Sequence, residues 1–225
     1  MPEFKTENAI VLGAKALGEN AFVLSLLTSE NGRHLGVIKC KNPPQIGDIV
    51  HARWKARLSE QMGTFYIENV HSTAASILDD MGRLNCLSCL CELLNMTLPE
   101  RQPQEKLYEK VSLFFNNLFE ENYLIHYIFL EKDLLAALGF GLDLSGCAGG
   151  GNNNDLAYVS PKTGRAVSRE KGLPYHKQLL PLPSFLWKDI TADSNDIQQA
   201  LHLTGYFLRQ HTLNGRLPNS RQFLK

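Results

Sequence analysis

IVHARWKARL, residues 49–58, alternates apolar and polar side chains through nearly its whole length. Val50, Ala52, Trp54, Ala56 and Leu58 fall on one face, and His51, Arg53, Lys55 and Arg57 on the other. A period of two means a strand with one face buried and one wet. Upstream lie three more short runs, at 9–17, 21–28 and 34–41. They are separated by Gly18-Glu19-Asn20 and Ser29-Glu30-Asn31-Gly32, both turn-forming sequences. Asn42-Pro43-Pro44 ends the third run, because each proline lacks an N–H and restricts the residue before it. Downstream, residues 60–63 turn the chain and 64–70 return it.

Five short strands in about 65 residues, with no helix between them, predict a small closed antiparallel barrel. Closure removes unpaired edges, and the five-stranded oligonucleotide/oligosaccharide-binding (OB) barrel is the natural candidate. After Ser72 the periodicity becomes helical. One helix is expected over 81–95 with Leu84, Leu87, Leu90, Leu93 and Leu94, and a second over 102–119 with Leu107, Val111, Phe114, Phe115 and Leu118. A third covers 122–138, with Gly139 as its stop. Asp193 or Ser194 caps a last helix with the stripe Ile197, Leu201, Thr204 and Leu208. Residues 139–172 carry no period. The fold class is therefore α+β: a barrel domain over 1–78, then an all-helical domain over 79–225 with one long loop insertion.

The chain has 225 residues, 44% hydrophobic and 20% charged, which excludes a disordered or low-complexity protein. No run approaches the ~18 apolar residues of a membrane span; the best stretch, 134–144, is broken by Asp143. The start, Met1-Pro2-Glu3-Phe4-Lys5, has no basic region followed by an apolar core, so the expected location is the cytoplasm. Cys40, Cys86, Cys89, Cys91 and Cys147 are odd in number and irregularly spaced, which is no disulfide framework.

Enzyme signals are missing. Cys86-x-x-Cys89-x-Cys91 is half of a zinc site, but only the isolated Cys147 remains to complete it. The leucines around it point instead to an amphipathic helix in which cysteine acts as a small apolar residue. Gly149-Gly150-Gly151 lacks the Lys-Ser/Thr of a phosphate loop, and no histidine or serine sits in a hydrolase motif. No cofactor or metal is expected.

The cations say more. Lys+Arg and Asp+Glu both number 23, yet the charges are segregated. Between residues 33 and 58, Arg33, Lys39, Lys41, Arg53, Lys55 and Arg57 meet one acid, Asp48. Arg53, Lys55 and Arg57 stand about 6.6–6.8 Å apart along one strand face, comparable to the phosphate repeat of an extended single strand. A second group, Lys162, Arg165, Arg169, Lys171, Lys177 and Lys188, meets only Glu170, and the tail holds Arg209, Arg216, Arg221 and Lys225. Phe22, Phe65 and Tyr66 are aromatics placed to stack on bases. These residues leave three classes open: a binder that tracks nucleic-acid backbones, an adaptor that binds protein only, and a hydrolase without a recognisable catalytic residue.

The stretch AIVLGAKALGENAFVLSLLTSENGRHLGVIKCK resembles the opening of the RecO family of bacterial recombination mediators, through Gly18-Glu19, Leu26-Leu27-Thr28, Gly32 with Gly36, and Lys39 with Lys41. The segment Leu138-Gly139-Phe140-Gly141-Leu142-Asp143-Leu144, then Cys147-Ala148 and Tyr158-Val159-Ser160-Pro161-Lys162-Thr163-Gly164-Arg165, is similar to that family's central signature. The likeness runs from about residue 7 to 210. It implies an OB barrel, a helical domain and, over 145–172, a zinc-finger-like insertion. Only Cys147 of the four finger cysteines stands here, so the insertion is expected without zinc. The resemblance further implies binding of single- and double-stranded DNA and annealing of complementary strands. It implies that RecR is a partner in loading RecA onto DNA coated by single-strand-binding protein (SSB), with contact to the SSB C-terminal tail. It also implies a nucleoid-associated protein of the bacterial cytoplasm. The DNA-binding candidates are Arg33, Lys39, Lys41, Arg53, Lys55, Arg57, Lys162, Arg165, Arg169 and Lys171.

Overall fold

The alternation at 49–58 forms strand β4, Asp48–Lys55, in the computed structural model of the protein, which describes residues 1–211 and 215–224. Val50, Ala52 and Trp54 point into the core, with Ala56 just beyond the strand end. Arg57 and Leu58 fall outside the strand, and Leu58, expected on the buried face, is exposed in the turn that follows.

Four further strands close the barrel: β1 Glu3–Ala16, β2 Ala21–Thr28, β3 Gly32–Lys39 and β5 Gly63–Ser72. Their order is β1-β2-β3-β5-β4, returning to β1. The expectation of a wholly antiparallel barrel is corrected: β3 and β5 pair in parallel at Gly36↔Gly63 and Val37↔Thr64. The reason is parity. Strand directions can alternate around a ring only when the number of strands is even, so a closed ring of five must contain a parallel pair. Glycines allow the seam to close. A Cβ at Gly36 would meet the Phe65 ring at 2.5 Å, and one at Gly63 would meet the Lys55 carbonyl oxygen at 2.3 Å.

Strand β1 starts at Glu3, six residues before the apolar run, and serves both neighbours, pairing with β4 in its first half and β2 in its second. Its register shifts between Thr6 and Ala9, where Asn8 takes a left-handed backbone with φ 60°. Asparagine tolerates that conformation, and the Tyr108 hydroxyl donates to the Asn8 carbonyl at 2.5 Å.

After the barrel come α1 Met81–Thr97 and α2 Glu105–Asn117. Asp80 caps α1, its carboxylate accepting from the Arg83 backbone N–H at 2.9 Å. Cys86, Cys89 and Cys91 lie fully buried within α1 among leucines, and burial pushes the Cys91 thiol up to about 12. The chain divides into two compact units. The first comprises Met1–Leu118 together with Pro218–Leu224, which returns to pack on α1; the second is built from Phe119–Leu217. In the second unit, α3 Tyr123–Ala137 packs on the last long helix, Ser194–His211 (α5). Thr204, a polar residue on the expected apolar stripe of α5, is buried with Glu131, which also accepts from the Tyr127 hydroxyl at 2.6 Å.

The second unit is not all-helical. Residues 139–172, expected to be irregular, contribute β6 Leu156–Val159 and β7 Ala166–Ser168 to a three-stranded sheet ordered β7-β6-β8, which β8 Leu180–Pro181 completes, with a one-turn helix α4, Arg169–Gly172, after β7. Strands of four, three and two residues are too short to display an alternation. The architecture is α+β: a five-stranded mixed barrel followed by a helical region with a small sheet.

Candidate nucleic-acid interface

The basic face of β4 does not stand alone. Register places Arg53 between Lys5 of β1 and Tyr66 of β5, Lys55 opposite Glu3, and His51 opposite Glu68. Lys55 Nζ lies 3.0 Å from the Glu3 carboxylate, whose hydrogen bond with that ammonium holds its pKa below the usual carboxylate value. Arg53 lies over the Tyr66 ring, 4.9 Å from its centroid. Lys5, Glu7, Arg53, Tyr66 and Glu68 line one shallow hollow of about 300 Å³. Three acids thus sit among the three lysine and arginine side chains of this face. A count along β4 alone could not show this, because the acids arrive on the neighbouring strands.

The three candidates in and just after β3 divide. Arg33 is turned onto the C-terminal end of α1, its Nε donating to the Leu98 carbonyl at 2.8 Å, with the side chain of Asn95 alongside. Lys39 and Lys41 are exposed and make no ion pair among the described residues. The pairing of β1, β2 and β3 sets Lys15 level with Val23 and Val37, and Lys39 level with Ala21 one step further along. All these side chains share the outer face. Lys15 and Lys39 therefore lie roughly 12 Å apart, two strand spacings across and one step along. Between them the strands present Val23 and Val37, and no acid. No sequence signal marks Lys15, because a single lysine near a strand end carries no pattern. Lys5 lies ahead of the apolar run that begins at residue 9, in the part of β1 that no alternation marks.

Arg57 is exposed in the β4–β5 loop. That loop is held from outside: the Arg101 guanidinium donates to the carbonyls of Ser59 and of Gln61, the latter at 2.9 Å. No sequence signal marks Arg101. Of the aromatics, Phe65 is buried, Phe22 packs against the core, and Tyr66 is exposed beside Arg53. Trp54 lies in the core, its indole N–H donating to the Leu35 carbonyl at 3.2 Å.

In the second unit the remaining candidates surround the β6–β7 hairpin. Lys162 stands in its turn, exposed and without an ion pair among the described residues. Arg165 pairs with Asp143 at 3.3 Å, Arg169 with Asp155 at 3.4 Å and Lys171 with Glu170 at 3.5 Å. Lys188 donates to the Asn154 carbonyl at 2.8 Å. Lys177 is exposed in a short 3-10 segment, and Lys225 lies outside the described residues.

Cys147 opens the insertion. Burial pushes its thiol up, but the Ser168 hydroxyl and backbone N–H, with the N–H groups of Gly151 and Gly149, outweigh that and bring its pKa to about 7. Among the described residues no group of three or more histidine, cysteine or acidic side chains is placed to hold a metal. No helix of the described chain is long and apolar enough to cross a membrane.

The family model described as "Recombination protein O C terminal" matches residues 78–221. The DNA repair protein RecO of Rhodospirillum rubrum is 41% identical, over 96% of this chain and 93% of its own length. RecO of Rhodospirillum centenum is 42% identical over 92% of this chain and 86% of its own, and that of Cereibacter sphaeroides 38% over 98% and 96%. Likeness of that extent defines a mediator of recombination and DNA repair, a class without catalysis of its own. The chain belongs to the RecO family.

Proposed function

We propose that the chain binds single- and double-stranded DNA without sequence preference, anneals complementary strands, and with RecR helps load RecA onto SSB-coated single strands. The barrel carries this reading. Its order β1-β2-β3-β5-β4, closed through one parallel pair, is that of an OB barrel, whose ligand face lies over strands two and three between the β1–β2 and β4–β5 loops. On this face Lys15 and Lys39 flank an apolar strip, with Lys41 just beyond β3 and Arg57 on the β4–β5 loop. Residues 1–78 are accordingly the DNA-binding domain.

Lysines around an apolar floor neutralise phosphates and release counterions without engaging base edges. Base edges left free are what annealing needs. Arg53 and Lys55 offer a second, acid-compensated track, and Lys162, Arg165, Arg169 and Lys171 a third group in the helical domain, for the partner strand. Arg33 supports the site from behind, through α1. The insertion at 145–172 is a degenerate finger in which hydrogen bonds to Cys147 replace zinc. For the acidic, hydrophobic SSB tail the reading assigns a pocket of the second unit lined by Ile125, Phe129, Phe185 and Ile190, with Lys188 and Asp189 at its edge, beside Lys132 over Phe129. A protein of this kind works at the nucleoid in the bacterial cytoplasm.

The test is a fluorescence titration of a labelled single-stranded oligonucleotide at several salt concentrations. Three to four free barrel cations predict that log affinity falls linearly with log salt, with a slope of about −2 to −3. Absence of binding at low salt would refute the reading and favour an adaptor that contacts protein only.

A further inference from the structure

We propose that Arg101 is a positioning residue for the DNA groove, fixing the β4–β5 loop through its backbone carbonyls without touching phosphate itself. The inference rests on the OB reading above, in which that loop walls the β2–β3 face. The loop leads from Lys55 to Gly63, and Gly63 pairs with Gly36 on β3, so its course decides where Arg57 stands relative to that face. Its side chains give it little anchorage, since Arg57, Leu58, Ser59, Glu60, Gln61 and Met62 are all exposed. Within it, the Gln61 N–H reaches the Leu58 carbonyl at 3.2 Å.

The anchorage comes from 40 residues away. Arg101 donates from Nη1 to the Ser59 carbonyl and from Nη2 to the Gln61 carbonyl, so the two arms of one planar fork hold carbonyls two residues apart. The arginine is itself held. Its backbone is left-handed, with φ 61°, its N–H donates to the Arg33 carbonyl at 2.7 Å, and Glu100 lies 3.7 Å from its Nε. Its guanidinium stands 5.7 Å from the centroid of the buried Trp54 ring. The preceding Glu100 makes a single parallel bridge beside Arg33 of β3, and Arg33 in turn grips Leu98. Arg33 and Arg101 thus form one strut from the end of α1, across β3, to the loop. A lysine at 101 would keep the charge but lose the fork.

The experiment compares the full chain with Arg101→Ala, Arg101→Lys, Arg57→Ala and the double variant Arg57→Ala/Arg101→Lys, binding a labelled thymidine oligonucleotide. Trypsin cleavage after Arg57 is followed in the proteins that retain it. The expected result is that both Arg101 variants bind about fivefold more weakly, the upper end of what one exposed ionic contact contributes. Both should also be cut sooner after Arg57, and the double variant should bind no worse than Arg57→Ala. Parental affinity in Arg101→Lys, or a double-variant loss equal to the product of the single losses, would overturn the proposal. Should Arg101→Ala fail to fold, Arg101→Lys carries the test. Parental affinity in Arg57→Ala is a separate failure: it would overturn the role given to the loop in the OB reading, and the proposal with it.

Discussion

Replacing Gly63 with alanine tests the account of barrel closure. The new Cβ would lie 2.3 Å from the Lys55 carbonyl oxygen and 2.4 Å from the Trp54 indole. Relaxed non-bonded contact needs about 3.5 Å, so a neighbour must retreat by roughly 1 Å. Neither is free to do so. Lys55 is locked in register with Thr64 on one side and Glu3 on the other, and Trp54 is hydrogen-bonded to Leu35 within the core. Backbone strain plays no part, because Gly63 has an ordinary φ. The cost should therefore reach the upper end of overpacking, about 3 kcal/mol. With a urea m value of about 2 kcal/mol/M, the unfolding midpoint of the barrel unit falls by about 1.5 M. Gly36→Ala should cost about half as much, because its clash is with the Phe65 ring and not with backbone. Fluorescence in a Trp187→Phe background leaves Trp54 as reporter and confines the readout to the barrel. A midpoint within about 0.3 M of the parent for Gly63→Ala, or a larger loss for Gly36→Ala, would refute the steric account of the seam.

Other predictions separate grip from support. Lys39→Glu with Lys41→Glu should weaken oligonucleotide binding more than about tenfold and flatten the salt slope by about 1, with melting unchanged; Arg33→Met should instead lower stability by about 2 kcal/mol and leave the slope alone. Burial first, and the Arg101 charge second, hold the His34 pKa below its ordinary value, against a smaller opposing effect of the Asn31 backbone. The unfolded chain therefore takes up the proton that the folded barrel resists. His34 leaves stability intact above about pH 6.5 and erodes it as the pH falls from there toward the lowered folded value. His34→Leu should reduce that acid sensitivity, measured as urea midpoints between pH 7.5 and 5, and an identical pH profile would contradict the assignment. Iodoacetamide should label Cys147 with a pH midpoint near 7 while the buried Cys86, Cys89 and Cys91 stay unmodified in the native state. Ser168→Ala should move that midpoint upward, toward the ordinary thiol value of about 8.5, as mass spectrometry of timed labelling would show.

How far the fold could be read from sequence depended on how many residues each feature needs. Strand β4 was legible because Val50, Ala52 and Trp54 repeat a period long enough to recognise. The first residues of β1 were not, since the bulge at Asn8 puts Glu7 and Asn8 consecutively in solvent and breaks the alternation. The sheet of the second unit was hidden by the brevity of its strands. Candidate cations were visible as residue types, but their environments come from pairing partners distant in sequence. Arg33 and Lys39 look alike along β3, yet one is half-buried against Leu98 and the other makes no ion pair among the described residues, a difference set by a helix end 65 residues on. Likewise the acids that balance β4 become its neighbours only once Glu3 and Glu68 are in register. Arg101 depends on a left-handed turn and on carbonyls of a loop 40 residues earlier, so no local pattern announces it.

The return of Pro218–Leu224 to the barrel unit has a consequence for biosynthesis. Leu118 leaves the ribosome about a hundred residues ahead of the segment that packs beside α1, so at roughly 5–20 residues per second the nascent barrel waits roughly 5–20 s for its last piece. During that interval the α1 surface awaiting Pro218–Leu224 is uncovered, a natural substrate for holding chaperones. Chains truncated before Pro218 should therefore show a barrel less resistant to protease than chains that carry Pro218–Leu224.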